Sequence, residues 1–542
     1  MPFLCARGPS ALKKASSLLR TVGAISSATF VSRVLGLARD QVQSYYFGAG
    51  LVTDAFIAAF RIPNLLRDLF AEGALSSAFV PTFTAERERH GEEAAWRLAN
   101  RLITTLALIL GALGVGIAVG APWILRVYVA GFPPQKLQLA VEMTRVLSPF
   151  LLFVALAAVA MGVLNTFGRF FLPALAPASF NLAAIAGMVL LVPLLPRLGY
   201  DPGMALAIGA LCGGALQFLV QVPALQREGF RFRPQLALRD PGLRRIAWLM
   251  LPATFGLAAT QINILVDTVL ASMFDDGPIT YLQLAFRLMQ LPIGLFGVAI
   301  ATANLARVSR DAARGDSEAI RRNLAAAIRA AALLTLPATF GLIALREPIV
   351  RLLFEHGRFD AADTARTAAA VLCYGLGLFA YAVTKIQVPT FYALGDTRTP
   401  VLASATAVTI KIGANFAFIA ALRRWGGDAF LGLALATSVA AWINFTWLAL
   451  ALRRRVGPFR GEAVGASCLK MLAISAVMGY AAGAFHGWLE RAFGGAGLAG
   501  EILRLALAIL AGLAVVAGGA RVLGIRELSR GDGGVSWTRW RS

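Results

Sequence analysis

Ionisable side chains are scarce in this sequence. Asp, Glu, Lys and Arg together make up 15% of 542 residues, against about 25% in ordinary globular chains. Histidine is scarcer still: His90, His356 and His486 stand too far apart in the chain for a ligand cluster. The four cysteines, Cys5, Cys212, Cys373 and Cys468, form no CxxC pair, which argues against a disulfide framework or a thiolate metal centre. There is no GxxxxGK[ST] loop and no HExxH, so neither an ATP motor nor a zinc hydrolase is indicated. Asp275-Asp276 is an acidic pair without the further carboxylates that a magnesium-diphosphate site would need. That speaks against a metal-dependent diphosphate enzyme, and no covalent chemistry and no cofactor are expected. Long polar stretches are missing too, leaving no room for a large soluble domain.

What fills the chain is apolar. Hydrophobic residues reach 58% and the mean hydropathy is +0.69. Apolar runs long enough to cross a bilayer recur at 22–47, 53–83, 99–122, 140–166, 172–195, 203–224, 245–273, 278–305, 325–345, 364–394, 399–421, 428–452, 464–484 and 501–523. The pattern predicts an all-α integral membrane protein with fourteen transmembrane helices. The first run follows Arg7, Lys13, Lys14 and Arg20 but is too long, and too charged at Arg33, Arg39 and Asp40, for a signal peptide; it reads as an uncleaved span.

The net charge of +22 would suggest nucleic acid in a soluble protein. Here it fits basic loops facing anionic membrane lipid, and no nucleic acid is expected. With the N-terminus in the cytoplasm, that side collects about 30 Lys and Arg and the other about 9, as the positive-inside rule requires. An even number of spans returns the C-terminus to the cytoplasm.

An internal repeat divides the chain. Ala59-Phe60-Arg61 recurs as Ala285-Phe286-Arg287, and Leu69-Phe70 recurs as Leu295-Phe296 at the same offset. Span 2 therefore resembles span 8. Both halves start on the same side, which makes them parallel repeats about a pseudo-two-fold axis along the membrane normal. The expected layout is a cytoplasmic segment 1–21, a six-helix lobe 22–226, a basic linker 227–244, a second six-helix lobe 245–455, two extra helices within 456–525 and a tail 526–542.

Charges inside the spans are the functional signal. Each costs roughly 2.5–3.5 kcal/mol at mid-bilayer, so it faces a cavity or a partner. At about 1.5 Å per residue, Arg33 lies roughly 16 Å into span 1; Arg287 lies at similar depth in span 8, and Arg67 near the middle of span 2. Arg39 and Arg61 lie nearer the outer side. Asp40 follows Arg33 by seven residues and shares its face, and Asp54, Arg61 and Asp68 repeat the same spacing. Arginines stay charged and grip phosphate oxygens in pairs, so this set suits a large phosphate or diphosphate anion. Glu72 and the Gly-rich stretches of spans 1 and 2 suit gate elements. Asp267 in span 7, with Lys411 and Asn415 in span 11, suits an ion-pair latch in which the ammonium fills the role of a cation. Lys385 in span 10 is a third cation near the inner end.

Several blocks carry a family resemblance. Ser32-Arg33-Val34-Leu35-Gly36-Leu37-Ala38-Arg39-Asp40, Phe47-Gly48-Ala49-Gly50 with Thr53-Asp54-Ala55-Phe56, Pro63-Asn64-Leu65-Leu66-Arg67 and Phe70-Ala71-Glu72-Gly73-Ala74 resemble the MurJ/MviN lipid II flippases of the MOP exporter superfamily. Leu164-Asn165-Thr166, Arg287-Leu288-Met289 and Thr399-Pro400-Val401 fit as well. The resemblance runs through about the first 450 residues and is densest in the first 85. It implies alternating access in the bacterial inner membrane and a substrate of undecaprenyl diphosphate carrying a disaccharide-pentapeptide. It maps diphosphate binding onto Arg33, Arg39, Arg67 and Arg287, the aspartate of its TDAF block onto Asp54, and a lipid-tail groove onto the last two spans. Gln290 departs from the glutamate of some relatives. Some relatives bind sodium between spans 7 and 11, but Lys411 is a poor neighbour for Na⁺. The membrane potential is then the expected driving force. Peptidoglycan synthesis enzymes are conceivable partners. The alternative is another exporter of the superfamily, for polysaccharide precursors or drugs.

Overall fold

A computed structural model describes residues 9–67, 74–237, 239–459, 463–494 and 497–524. Every regular element among them is helical: α1 Pro9–Phe47, α2 Leu51–Arg67, α3 Ala74–His90, α4 Glu92–Tyr128, α5 Pro134–Leu147, α6 Phe150–Thr166, α7 Phe171–Leu191, α8 Met204–Leu219, α9 Val222–Arg227, α10 Pro241–Ala271, α11 Pro278–Pro292, α12 Val298–Ala313, α13 Ser317–Ala344, α14 Arg346–Phe354, α15 Ala361–Gly375, α16 Leu378–Ala393, α17 Arg398–Arg424, α18 Leu431–Val456, α19 Val464–Ala492 and α20 Gly497–Val522. Among the described residues, ten helical stretches are long and apolar enough to cross a membrane. They number eleven if α15 and α16, bent by 45° at their junction, count as one.

The chain divides into two compact units, Met1–Gly277 and Pro278–Ser542. The sequence places the second lobe from 245 onward, whereas α10 packs on α3 and α4 and so belongs to the first unit. Its start is built locally. Pro241 occupies the first helical position, and the Asp240 carboxylate accepts from the Gly242 and Leu243 amides at 2.8 and 3.1 Å, satisfying donors that a helix start leaves open.

In the first unit, Phe79, Phe83, Leu98, Leu102, Phe150 and Val154 bring α3, α4 and α6 together. The lipid-exposed side is as apolar as the core. Val115, Val119, Trp123 and Val127 recur every four residues down α4 and are exposed, the reverse of a soluble helix, because hydrocarbon takes the place of water. In the second unit, Leu324, Ile328, Val383, Ile386, Leu448 and Met471 join α13, α16, α18 and α19. The last two helices pack on each other and on α13.

Small residues allow a close crossing of α7 and α8. A Cβ on Gly187 of α7 would meet Gly209 Cα of α8 at 2.6 Å, so these backbones touch because neither carries a side chain. Gly187→Leu should lower the yield and thermal midpoint of purified protein sharply. Gly111→Leu, where nothing lies within 4 Å, should leave both near wild type. Equal behaviour of the two variants would contradict this packing.

α11 and α12 form one stretch interrupted by a π-helical segment at Ile293–Gly297, directly after Pro292. The proline removes a backbone donor and the wide turn absorbs the mismatch. The Gly395-Asp396-Thr397 turn behaves as its residue types suggest. Asp396 accepts from the Arg398 and Thr399 amides, both at 3.0 Å, and from the Thr399 hydroxyl at 2.6 Å. These bonds, led by the hydroxyl, hold its carboxyl below the usual range.

Candidate functional site

The arginines of α1 differ from each other. Arg33 is exposed, and no carboxylate among the described residues lies within ion-pair distance of it. Asn181 of α7 donates to the neighbouring Ser32 carbonyl at 3.1 Å, which fixes this part of α1 against α7. Arg39 is held on two sides. Its guanidinium contacts the Asp40 carboxylate at 2.9 Å and lies 5.6 Å from the centre of the Phe180 ring. Asp40 is buried; the sequence places it on the face of Arg33, and the structure gives it an ion pair with the adjacent Arg39.

On α2, Arg61 and Arg67 are half-buried. Arg61 lies with Thr268 beside the hydroxyl of buried Tyr128. The preceding Phe60 is locked between Phe150 and Phe180, at 5.0 and 6.3 Å between ring centres. Asp68 and Glu72 lie outside the described residues.

Asp54 does something that the spacing did not reveal. It is 1% exposed, and its Oδ2 accepts from Lys136 Nζ at 2.9 Å and from the Gly277 amide at 2.8 Å. Lys136 is itself 2% exposed. Its ammonium also reaches Asp276 Oδ1 at 2.8 Å and lies 4.4 Å from the centre of the Phe132 ring. Four parts of the first unit thus meet on one ammonium: the start of α2, the third residue of α5, the turn before α5 and the turn that ends the unit. Gly131 lets them approach, since a Cβ there would strike the Ser272 carbonyl at 2.2 Å. Sequence reasoning missed Lys136 because it precedes the span at 140–166 and looks like a loop lysine. Its signal was Pro133-Pro134 just before it, which start a helix and place the lysine in its first turn. Asp276, half of an acidic pair that reads as a solvated turn, is the second missed member.

In the second unit, Arg287 is half-buried on α11, six residues before the π-helical segment, and Gln290 is exposed. Lys411 and Asn415 are buried on α17, at 2% and 0% exposure. They stand four residues apart and so share a helix face. Lys385 is exposed on α16. Asp267, half-buried, belongs to α10 of the first unit.

What the first unit offers is an uncompensated guanidinium in α1, a neutralised Arg39–Asp40 pair near it in sequence, and a rigid ion-pair knot where the unit ends. That chemistry suits binding and displacement of an anion.

Known proteins agree in sequence and fold. The sequence profile of the family described as lipid II flippase MurJ matches residues 43–497. The lipid II flippase MurJ of Burkholderia cenocepacia is 38% identical over 445 residues, covering 81% of this chain and 84% of that one. The probable lipid II flippase MurJ of Vibrio cholerae is 36% identical over 441 residues, covering 80% and 82%. A solved lipid II flippase MurJ in an inward closed conformation superposes with a TM-score of 0.75 at 29% identity, over 92% of this chain and 99% of that chain. An inward-facing multidrug resistance MATE family transporter of the MOP superfamily shares the fold alone, with a TM-score of 0.64 at 14% identity over 81% and 98% of the two chains. With a profile that spans most of its length and relatives well above 30% identity, the chain belongs to the MurJ lipid II flippase family.

Proposed function

We propose that this protein carries lipid II from the cytoplasmic to the periplasmic leaflet of the bacterial inner membrane by alternating access, without covalent chemistry. The observation that carries the reading is Arg33. It is an exposed guanidinium in the interior of α1 with no ion-pair partner among the described residues, in a chain of this family. A mid-membrane cation of that kind needs water or an anion beside it. We assign Arg33, Arg39 and Arg67 of the first unit and Arg287 of the second to the diphosphate, with Arg61 and Asp40 as supporting residues.

Fourteen spans are assigned by adding α1, α2 with α3, and α10 to the eleven apolar stretches. Two parallel repeated halves and both cytoplasmic termini follow from the repeat and from the positive-inside count. The last two helices are assigned to the lipid tail. Contact with peptidoglycan synthesis enzymes is compatible with this reading and not required by it.

The test is rescue of cells depleted of their own lipid II flippase by the wild-type chain, and loss of rescue in Arg33→Ala and Arg287→Ala at equal membrane abundance. Rescue by both variants would remove the arginines from the mechanism.

Coupling is expected to be electrical. Lys411 places a fixed ammonium deep in α17, where it does the work of a bound cation. Transport in vesicles should therefore persist when K⁺ replaces Na⁺. It should fall when the membrane potential, worth about 2.3 kcal/mol per charge per 100 mV, is collapsed. A strict sodium requirement would refute this assignment.

A further inference from the structure

The connection from α9 to α10 is an extended strap laid along α4. Asn100 of α4 is buried and grips it twice, donating from Nδ2 to the Arg231 carbonyl at 3.1 Å and accepting the Arg233 amide at 2.9 Å. One turn on, the Thr104 hydroxyl oxygen accepts the Gln235 amide at 3.1 Å. Phe230 is buried, its ring centre 5.6 Å from that of Trp96. The strap is therefore fixed by hydrogen bonds and by an aromatic anchor.

Its charges are sorted. The carboxylates at its two ends are both engaged inside the protein: Glu228 with Arg169 at 2.8 Å, and Asp240 with Arg101. The arginines are not. Arg231, Arg233 and Arg239 of the strap, and Arg244 and Arg245 in the start of α10 that follows it, are all exposed, and none has a carboxylate within ion-pair distance among the described residues. Phe232 and Leu236 between them, and Trp248 three residues after Arg245, are 56%, 60% and 64% exposed. Apolar side chains that an ordered segment leaves uncovered between arginines need an amphipathic neighbour.

The position of the strap supplies one. Asn100 and Thr104 sit where α4 changes from a charged start, with Glu92, Glu93, Arg97 and Arg101, to the apolar run that follows. This is the level of the membrane interface, where arginines meet headgroups and aromatic rings sit at the acyl boundary. A polypeptide adding to the strap as a strand is disfavoured. The Arg233 and Gln235 amides are already used by α4, and Pro234 between them has none.

We propose that this strap is a binding site for anionic phospholipid. Its arginines hold the headgroup phosphates, and Phe232, Leu236 and Trp248 enter the acyl boundary. The site uses none of the arginines assigned to transport and does not depend on the identity of the transported lipid.

The test is lipid retention by the full-length purified protein in equimolar phosphatidylglycerol and phosphatidylcholine, read by native mass spectrometry. Wild type should retain phosphatidylglycerol preferentially. Arg231→Gln/Arg233→Gln/Arg239→Gln, which alters only exposed side chains, should weaken that retention about tenfold or more, since each basic residue near an anionic surface adds to the attraction. Arg453→Gln/Arg454→Gln, at the basic end of α18, is the control and should keep it. Phe232→Ser/Leu236→Ser should weaken both lipids together. Unchanged retention in the triple variant, or an equal loss in the control, would overturn the proposal. Preferential capture of soluble polyglutamate by the wild type would overturn it as well and assign the strap to an acidic protein partner.

Discussion

Lys136→Met should destabilise the first unit by roughly 3–5 kcal/mol, the usual cost of leaving one member of a buried ion pair without its partner. The ammonium is the common partner of two carboxylates, and Asp54, at 1% exposure, cannot recover its solvation from water. The effects should be graded by burial. Asp276 has a side chain 47% exposed, so Asp276→Asn should cost about 1 kcal/mol or less. Asp54→Asn should fall between the two, because Lys136 keeps Asp276. The double variant Asp54→Asn/Lys136→Met removes both buried charges and should recover a large part of what Lys136→Met loses. Thermal midpoints of the purified variants check the order, and the non-additivity of the double variant isolates the pair. A Lys136→Met protein as stable as wild type would mean that the ammonium is not what holds the end of the unit. The knot also bears on transport. It ties α2, which carries Arg61 and Arg67, to the residues just before Pro278, where the chain passes into the second unit. Variants that loosen it should lose rescue before they lose membrane abundance.

The knot also shows where sequence reading stops. Periodicity and apolar runs located the helices well: 172–195 corresponds to α7, 203–224 to α8 and α9, 428–452 to α18 and 464–484 to α19, each within several residues at most ends. Lipid demands a helix wherever the chain is apolar for long enough. The same logic undercounts helix beyond the hydrocarbon: α4 begins at Glu92 and α1 at Pro9, ahead of their apolar runs. Residue type and spacing also flagged Asp54, but they assigned it to a face shared with Arg61. Its partners stand 82 and 223 residues away, at Lys136 and Gly277, and no period along one helix reports a contact of that range. Asp40 shows the converse. A seven-residue spacing put it on the face of Arg33, and the immediate neighbour Arg39 makes its ion pair.

That last difference separates the α1 arginines by effect. Arg39 is compensated by Asp40 and rests against Phe180, so a bound diphosphate gains little net charge from it. Arg33 has no described carboxylate to compensate it. Arg33→Gln should therefore weaken binding of a short-chain polyprenyl diphosphate to the purified protein by roughly ten- to a hundredfold, as expected for losing a charge-assisted hydrogen bond worth about 1.5–3 kcal/mol. Rescue of flippase-depleted cells should be lost with it. Arg33→Lys keeps the charge but not the planar fork. If the diphosphate is held through two oxygens, Lys should restore only part of the affinity; if Arg33 acts as a point charge, Lys should restore nearly all of it. Arg39→Gln should have the smaller effect on affinity, and its cost should appear in stability, because it leaves the buried Asp40 without its ion pair. Affinity unchanged in Arg33→Gln, or lost to the same extent in Arg39→Gln, would show that compensation by Asp40 does not decide which arginine receives the anion.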